Sequence, residues 1–459
     1  MTSNHAVYYR EADMHAVLQL LAGGNCVAVV GMSNFGKSSL LRRLQTREAS
    51  TLYHDLTGRD ALFVYVDCNR MVELSPRGFF EATLRAILEA LPPDPVELRK
   101  AVEARYQTIV MPPNDFAAPL AFNDALVMLV EQDAYRIVLL LDEFDEVLNG
   151  IEPRILLNLR ALRDKYGPEL SYVIAAAAPP SQVRQDEHVA EFAELFASGK
   201  YYLGPLSEAE TRQMAAELFA AANDELDEAE ADFVVRQAGG HPGLIQAVAR
   251  VLLQVESGAP ELYRQQAFAL VNEMLESDRQ TLLELNRLWN QLTAEEQNLL
   301  IEAVTTGQYT PTTIQILSQR GLLYTDSPNG EPPHLLIGEL FTRFVRRKAL
   351  TRPGVQRGVR LDADSGHVWV DGAPVETLTD LEFRLLLLLY GRLDKICDKY
   401  QIVEAVWGEE YIDEVDDARI EKLVSRLRAK LEAGQNTARY LVTVRGRGYR
   451  LSSKPMQGN

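Results

Sequence analysis

The sequence predicts an α/β protein in which a parallel sheet covered by helices is followed by a helical stretch and a small mixed terminal domain. Three observations predict it. Short continuous apolar runs at 26–31, 62–69, 137–141 and 171–178 alternate with helix-like segments such as 78–91 and 153–165. Runs of this kind suit central strands buried on both faces, so an α/β sandwich is expected for 1–205. The strand signal then disappears, and 207–285 reads as helices opened by Ser207 and Glu210 at capping-box spacing. Residues 288–347 read as helices at 293–305 and 311–320, possible strands in "GLLYTD" and "HLLIG", and a last helix. Finally, the basic, Pro- and Gly-broken "KALTRPGVQRG" (348–358) reads as a linker before a compact domain that begins with short alternating strands. The expected divisions are 1–205, 206–286, 287–350 and 351–459.

Bulk properties narrow the function classes. Three widely spaced cysteines, Cys26, Cys68 and Cys397, match no metal spacing and fit a reducing compartment. The first residues show no secretory pattern and no run is long enough to span a bilayer, so a cytoplasmic protein without membrane partners is expected. The net charge of −18 argues against nonspecific nucleic-acid binding by the whole molecule. Its distribution is uneven, because residues 352–459 carry 17 basic and 17 acidic side chains and so leave the whole excess in 1–351. Within 418–454 ten Lys/Arg face two Glu. An acidic body carries a basic end.

The apolar run ending at Val30 leads into Gly31-Met-Ser-Asn-Phe-Gly36-Lys37-Ser38, which satisfies G-x-x-x-x-G-K-[ST]. Glycines let backbone N–H groups turn in around phosphate oxygens at a helix N-terminus. Gly31, Ser33, Asn34, Phe35, Gly36, Lys37, Ser38 and Ser39 are the expected cradle, with Lys37 on the β- and γ-phosphates and Ser38 on Mg²⁺. A second apolar strand ends in Asp142-Glu143. Asp142 is the expected partner of the metal and Glu143 the residue that polarises water, whereas Asp145 and Glu146 read as solvated surface.

Together with "YYREAD" (8–13), "LLLDEFDEV", "LRALRDKYG" (159–167), "LGPLSEAET" and "GGHPGLIQ" (239–246), the cradle resembles the STAND branch of AAA-like P-loop ATPases. The likeness covers about 1–347 and extends, less closely, to origin-recognition-type ATPases. It implies a P-loop NTPase parallel sheet with a helical lid and a winged-helix subdomain, and ATP or ADP held with Mg²⁺ between them. It also implies Tyr9 and Arg10 near the adenine, and His241 and Pro242 approaching from the lid. The chain departs from such families where a polar sensor usually ends the fourth strand: it reads "AAAAPP", with Ser181 the first polar residue. Ile337 stands near the place of a switch histidine, and Arg160 and Arg163 qualify as arginine fingers by helix position alone. Binding is therefore expected with weak or partner-stimulated hydrolysis of ATP to ADP and phosphate.

At the basic end, Ile420, Leu423, Val424, Leu427 and Leu431 form one apolar helical stripe, with Arg419, Lys422, Arg426 and Lys430 nearly opposite. Asp416 and Asp417 occupy the helix start. "LT..EF.LL", "AVWG", "SRLR..L" and "VRG.GYR" resemble the OmpR/PhoB-type winged-helix DNA-binding domain across 351–459. The family implies a recognition helix in the major groove and a wing at 440–451. Lys422 and Arg426 are expected at base edges; Arg419, Arg428, Arg445, Arg447 and Arg450 are expected at the backbone.

The combination points to an ATP-binding transcription regulator whose nucleotide state controls self-association and binding to double-stranded DNA. A signalling protein and RNA polymerase are further partners such a regulator would meet. Two rivals remain: a DNA-remodelling or loader ATPase, and a scaffold whose nucleotide is purely structural.

Overall fold

The computed structural model describes residues 9–131, 136–184, 186–258, 264–323, 337–351, 358–362, 366–371, 373–408, 411, 415–432 and 440–452. The chain divides into two compact units, Met1–Phe344 and Val345–Asn459.

The first unit is built on a five-stranded parallel sheet: β1 (Val27–Val30), β2 (Ala61–Asp67), β3 (Arg136–Asp142), β4 (Leu170–Ala176) and β5 (Lys200–Tyr202), in the order β2-β3-β4-β1-β5. The four apolar runs of the sequence are the first four strands. β5 is short and half-exposed, and its "KYY" carries none of the apolar signal that betrays a central strand. Every residue of β1 and β4 is buried, as expected where helices cover both faces of a sheet.

Strand register decides where chemistry can collect. Val30 lies opposite Ala176, and Asp67 opposite Asp142, so the carboxyl ends of the strands form one rim. Ligands of open α/β sheets bind outside that rim. β4 stands between β1 and β3, which separates the phosphate loop that follows β1 from the acidic end of β3 by one strand.

Two helices not singled out in the sequence, Val96–Val110 and Ala117–Glu131, lie with Pro76–Ala90 between β2 and β3. Phe79, Phe80, Phe122 and Phe144 pack against one another there, with Phe80 and Phe122 stacked at 4.5 Å. Beyond β5 come the helices Glu208–Ala221, Glu228–Ala238, Pro242–Gly258, Arg264–Ser277 and Arg279–Asn290, in line with the helical stretch expected. Ser207 and Glu210 form the expected capping box. The helices Ala294–Thr306 and Pro311–Gln319 also appear, as does Gly338–Thr351. The strands expected in "GLLYTD" and "HLLIG" fall largely outside the described residues.

The second unit opens with the antiparallel strands β6 (Val359–Leu361), β7 (Val368–Val370) and β8 (Ala373–Pro374). The helices Asp380–Gly391, Lys399–Val406 and Asp417–Leu431 follow, then the hairpin β9 (Leu441–Val444) and β10 (Gly448–Leu451). The predicted stripe Ile420, Leu423, Val424, Leu427 and Leu431 is the buried face of the third helix. Trp407 and Tyr449 pack against the same core. This is the winged-helix arrangement the sequence predicts.

Truncating Phe79, fully buried in the aromatic cluster, removes a large side chain from a site its neighbours cannot fill. Phe79→Ala should lower stability by about 3–5 kcal/mol in denaturant melts followed by circular dichroism.

Candidate functional site

The phosphate loop is held from below and from the side. Gly36 takes φ 88°, which glycine adopts freely, and its carbonyl accepts from Leu40 N at 3.0 Å to start the helix Lys37–Arg43. Lys37 is buried, and its ammonium donates to the Gly31 carbonyl at 2.8 Å and the Met32 carbonyl at 3.3 Å. Burial pushes the Lys37 ammonium below its ordinary range, while Glu143, Asp145 and Asp142 pull it back up. Three non-glycine residues in the left-handed region, Arg10 (φ 76°), Asn34 (φ 63°) and Glu143 (φ 52°), gather at this site, where such strain commonly concentrates.

The acidic end of β3 is equally constrained. Asp142 is buried, and its carboxylate accepts from the Tyr65 hydroxyl at 2.6 Å and from Glu143 N at 3.0 Å. Arg42 donates to the Tyr65 hydroxyl at 3.2 Å and its guanidinium lies 5.3 Å from the ring centre. Partial loss of hydration raises the Glu143 carboxyl; Lys37 opposes the rise, and Asp142 and Asp145 add to it. Asp145 departs from the solvated surface expected of it. It is half-buried and its carboxylate accepts from Ala177 N at 2.9 Å, just past the end of β4. Glu146 is exposed, as expected. The Ala177 carbonyl accepts from Arg320 at 3.0 Å, and Arg320 pairs with Glu296 at 2.6 Å. The apolar strand end thus has polar groups brought to it from two other elements.

These parts surround a cavity of about 580 Å³, within the range of small-molecule sites. Tyr9, Arg10, Ser33, Asn34, Gly36, Lys37, Ser38, Ser39, Glu143 and Pro242 line it. Leu206, Gly243 and Gln246, which fall in the quoted segments, and Met214, Gln280, Glu284 and Arg287, which were not singled out in the sequence, complete the wall. Gly31, Phe35, Asp142 and His241 are buried behind it. The Tyr9 hydroxyl donates to Glu217, and the Arg10 guanidinium donates to Asp13 and to the Phe35 and Pro205 carbonyls. Arg10 therefore ties the loop to the start of the helical stretch. Among the finger candidates, Arg163 donates to the Gly24 carbonyl, ahead of β1 and so at the opposite rim of the sheet, and Arg160 pairs with Glu194 at 2.8 Å. Ser181 is exposed on the short helix Pro180–Val183.

His241 follows Gly239 and Gly240, and a Cβ at Gly240 would stand 2.3 Å from the Leu206 carbonyl oxygen. The ring is fully buried and edge-on to Phe35 at 5.3 Å. Its Nδ1 accepts from Leu244 N at 3.1 Å, so the neutral ring carries its proton on Nε2, which is buried without a hydrogen-bond partner. Burial lowers its pKa to about 4, aided by the Arg287 and Arg10 charges and opposed by the Ser33 and His241 backbone.

Ser38 and Asp142 offer hydroxyl and carboxylate oxygens, the donors a hard divalent cation takes. Among the described residues no group of three or more His, Cys, Asp or Glu could hold a metal.

In the second unit Asp416 caps the helix Asp417–Leu431 by accepting from Arg419 N at 2.9 Å. Arg419, Lys422, Arg426, Arg445 and Arg447 are exposed on the helix and the turn of the β9–β10 hairpin. Arg428 and Arg450 are half-buried. Arg428 binds the Leu441 carbonyl at 3.0 Å and Thr443 Oγ1 at 2.8 Å, which fastens helix to hairpin. Lys430 leaves the cationic face expected of it: it lies between the Thr377 carbonyl at 2.8 Å and the buried Glu382 at 2.9 Å.

A phosphate loop on a parallel sheet, joined to a winged helix with a basic surface, defines a P-loop NTPase fused to a DNA-binding module. The sequence profile of Novel STAND NTPase 1 matches residues 2–353, and the chain belongs to that family. The profile of "Transcriptional regulatory protein, C terminal" matches residues 373–451, so both resemblances noted in the sequence are shown. The C-terminal part is 38% identical over 93 residues to the sensory transduction protein RegX3 of Mycolicibacterium smegmatis, covering 20% of this chain and 40% of that protein. It is 34% identical over 114 residues to the uncharacterized transcriptional regulatory protein YcbL of Bacillus subtilis, covering 24% and 49%. The chain thus spans less than half the length of these relatives. The Walker-type ATPase Paby2304 of Pyrococcus abyssi is similar over 75% of this chain and 97% of its own, at 13% identity and a TM-score of 0.42. Among the described residues no helix is long and apolar enough to cross a membrane.

The low pKa of His241 makes stability depend on pH. The unfolded ring, with an ordinary pKa near 6.5, binds a proton that the folded ring refuses until about pH 4. Folding stability should be complete above about pH 6.5 and fall as pH drops towards 4, by on the order of 3 kcal/mol. Urea melts of wild type and His241→Gln between pH 4 and 7 should show the loss in wild type and a shallower slope in the variant.

Proposed function

We propose that the protein is an ATP-responsive transcription regulator. Its phosphate loop binds ATP or ADP with Mg²⁺, nucleotide state controls self-association, and association sets several winged helices on one stretch of double-stranded DNA. What carries the reading is the buried Lys37 beneath the loop, with Asp142 and Glu143 at the end of β3 one strand away, in a chain that also presents Arg419, Lys422 and Arg426 on an exposed helix face.

In this reading the Lys37 ammonium leaves the Gly31 and Met32 carbonyls for phosphate oxygens, and the loop N–H groups add hydrogen bonds. Ser38 and, through water, Asp142 would hold Mg²⁺, which would supply charge neutralisation at the phosphates. Tyr65 keeps the Asp142 carboxylate aimed, and Glu143, whose proton affinity is raised, orients water and accepts its proton. The His241 Nε2–H is a neutral donor behind the loop. With no polar side chain at the end of β4, Asp145 and Arg320 are what the fold supplies there, and slow hydrolysis suits a switch that must stay loaded. Lys422 and Arg426 read base edges; Arg419, Arg445 and Arg447 contact phosphates. Tandem sites then raise effective concentration, so assembly strengthens DNA binding without new contacts.

Lys37→Ala removes a charge-assisted contact and should weaken ATP binding on the order of 100-fold in calorimetry. The same variant should lose cooperative operator binding in gel shifts; ATP-independent operator binding equal to wild type would refute nucleotide control. Arg426→Ala should cost about 1–3 kcal/mol on the selected operator and little on random DNA. Arg447→Ala should weaken both alike and reduce the salt slope by about one.

A further inference from the structure

The helix Arg279–Asn290 reaches back to the phosphate loop over roughly 250 residues of chain. Glu284 Oε2 accepts from the Asn34 side-chain amide at 2.7 Å, and Gln291 Oε1 accepts from Ser33 N at 2.8 Å. Ser33 N is one of the amides a phosphate would use, and here a neutral side-chain oxygen occupies it. Glu284 also pairs with Arg287 at 2.9 Å, and the carboxylate is the sheltered member: its side chain is 14% exposed, that of Arg287 51%. Room for the carboxylate comes from Gly243, where a Cβ would stand 2.8 Å from Glu284 Oε2. Glu284 and Arg287 both line the cavity.

The helix is itself firmly seated. Asp278 caps it by accepting from Thr281 N at 2.8 Å and pairs at 2.7 Å with Arg250 of the helix Pro242–Gly258. At the other end Trp289 meets Phe344 at 6.3 Å. Whatever moves Glu284 therefore moves an element anchored to its neighbours at both ends.

We propose that Glu284 and Gln291 form a clasp on the phosphate loop that a nucleoside triphosphate displaces, and that Arg287 then passes from Glu284 to the terminal phosphate. The inference rests on the nucleotide reading above and adds the element through which occupancy is felt outside the sheet. Three physical reasons support it. A carboxylate hydrogen-bonded to the loop opposes the negative charge of a polyphosphate brought to the same place. A loop amide serves one strong acceptor at a time, so Gln291 Oε1 and a phosphate oxygen compete for Ser33 N–H. An arginine whose present partner is displaced by an anion has a planar fork of donors suited to phosphate.

The experiment titrates the full chain with ATP and with ADP, each with Mg²⁺, by calorimetry. Wild type is compared with Glu284→Gln, which keeps shape and removes charge, with Gln291→Ala and with Arg287→Ala. Circular dichroism melts check folding. Glu284→Gln should tighten ATP binding by on the order of tenfold, with a smaller gain for Gln291→Ala. Arg287→Ala should weaken ATP on the order of tenfold and ADP far less. In wild type, saturating ATP should speed amide hydrogen exchange at 279–291. The clasp is overturned if wild type binds ATP, Glu284→Gln and Arg287→Ala both keep wild-type affinities, and exchange at 279–291 is unmoved. If wild type binds neither nucleotide, the nucleotide reading itself fails and the clasp falls with it.

Discussion

The first unit depends on one buried cation. The Arg10 guanidinium joins three pieces of chain: the helix Glu11–Ala22 through Asp13, the phosphate loop through the Phe35 carbonyl, and the start of the helical stretch through the Pro205 carbonyl. Its own backbone N–H donates to Glu210 at 2.5 Å, beside the Ser207 capping box. A buried arginine needs partners for its donors; both terminal nitrogens of Arg10 have them, while its Nε is buried without one. Once those partners are backbone carbonyls on separate elements, the arginine fixes their spacing. The cavity inherits its shape from that joint.

Charge is then distributed around the loop so that each group is held ready by its neighbours. Lys37 loses hydration and is compensated by three carboxylates at the strand ends. For His241, behind the same loop, burial lowers the pKa to about 4, and the Arg287 and Arg10 charges lower it further. Burial lowers both groups; carboxylates oppose the fall at Lys37, whereas arginine charges add to it at His241. The same rule operates in the second unit, where Glu382 is buried with Lys430 as its partner and its carboxyl lies below the usual range despite desolvation.

In the winged helix, cations of similar appearance in sequence divide into two kinds. Arg419, Lys422 and Arg426 are exposed, whereas Arg428 and Lys430, towards the end of the helix, hold the hairpin and the first helix in place. The division follows from what each turn of the helix faces. Towards its end the helix runs alongside β9 and the segment preceding Asp380–Gly391, and its long basic side chains donate to the Leu441 and Thr377 carbonyls there.

Local pattern by itself determined the four central strands, the glycine loop with Lys37, the Asp142-Glu143 pair, the helical stretch from Ser207 and the apolar stripe of Asp417–Leu431. Each is written in neighbouring residues, by burial on two faces, by turn conformation or by a repeat of helical period. Only the tertiary structure decided the rest. β5 is a strand because β1 offers it an edge, not because "KYY" is strongly apolar. Asp145 serves Ala177 because β4 lies beside β3, and Glu284, Arg287, Gln291 and Arg320 meet the strand rim across more than a hundred residues of chain. Contacts of that span leave no periodicity or spacing behind, since an exposed Glu on a helix and a Glu on a phosphate loop differ only in what the fold sets opposite them.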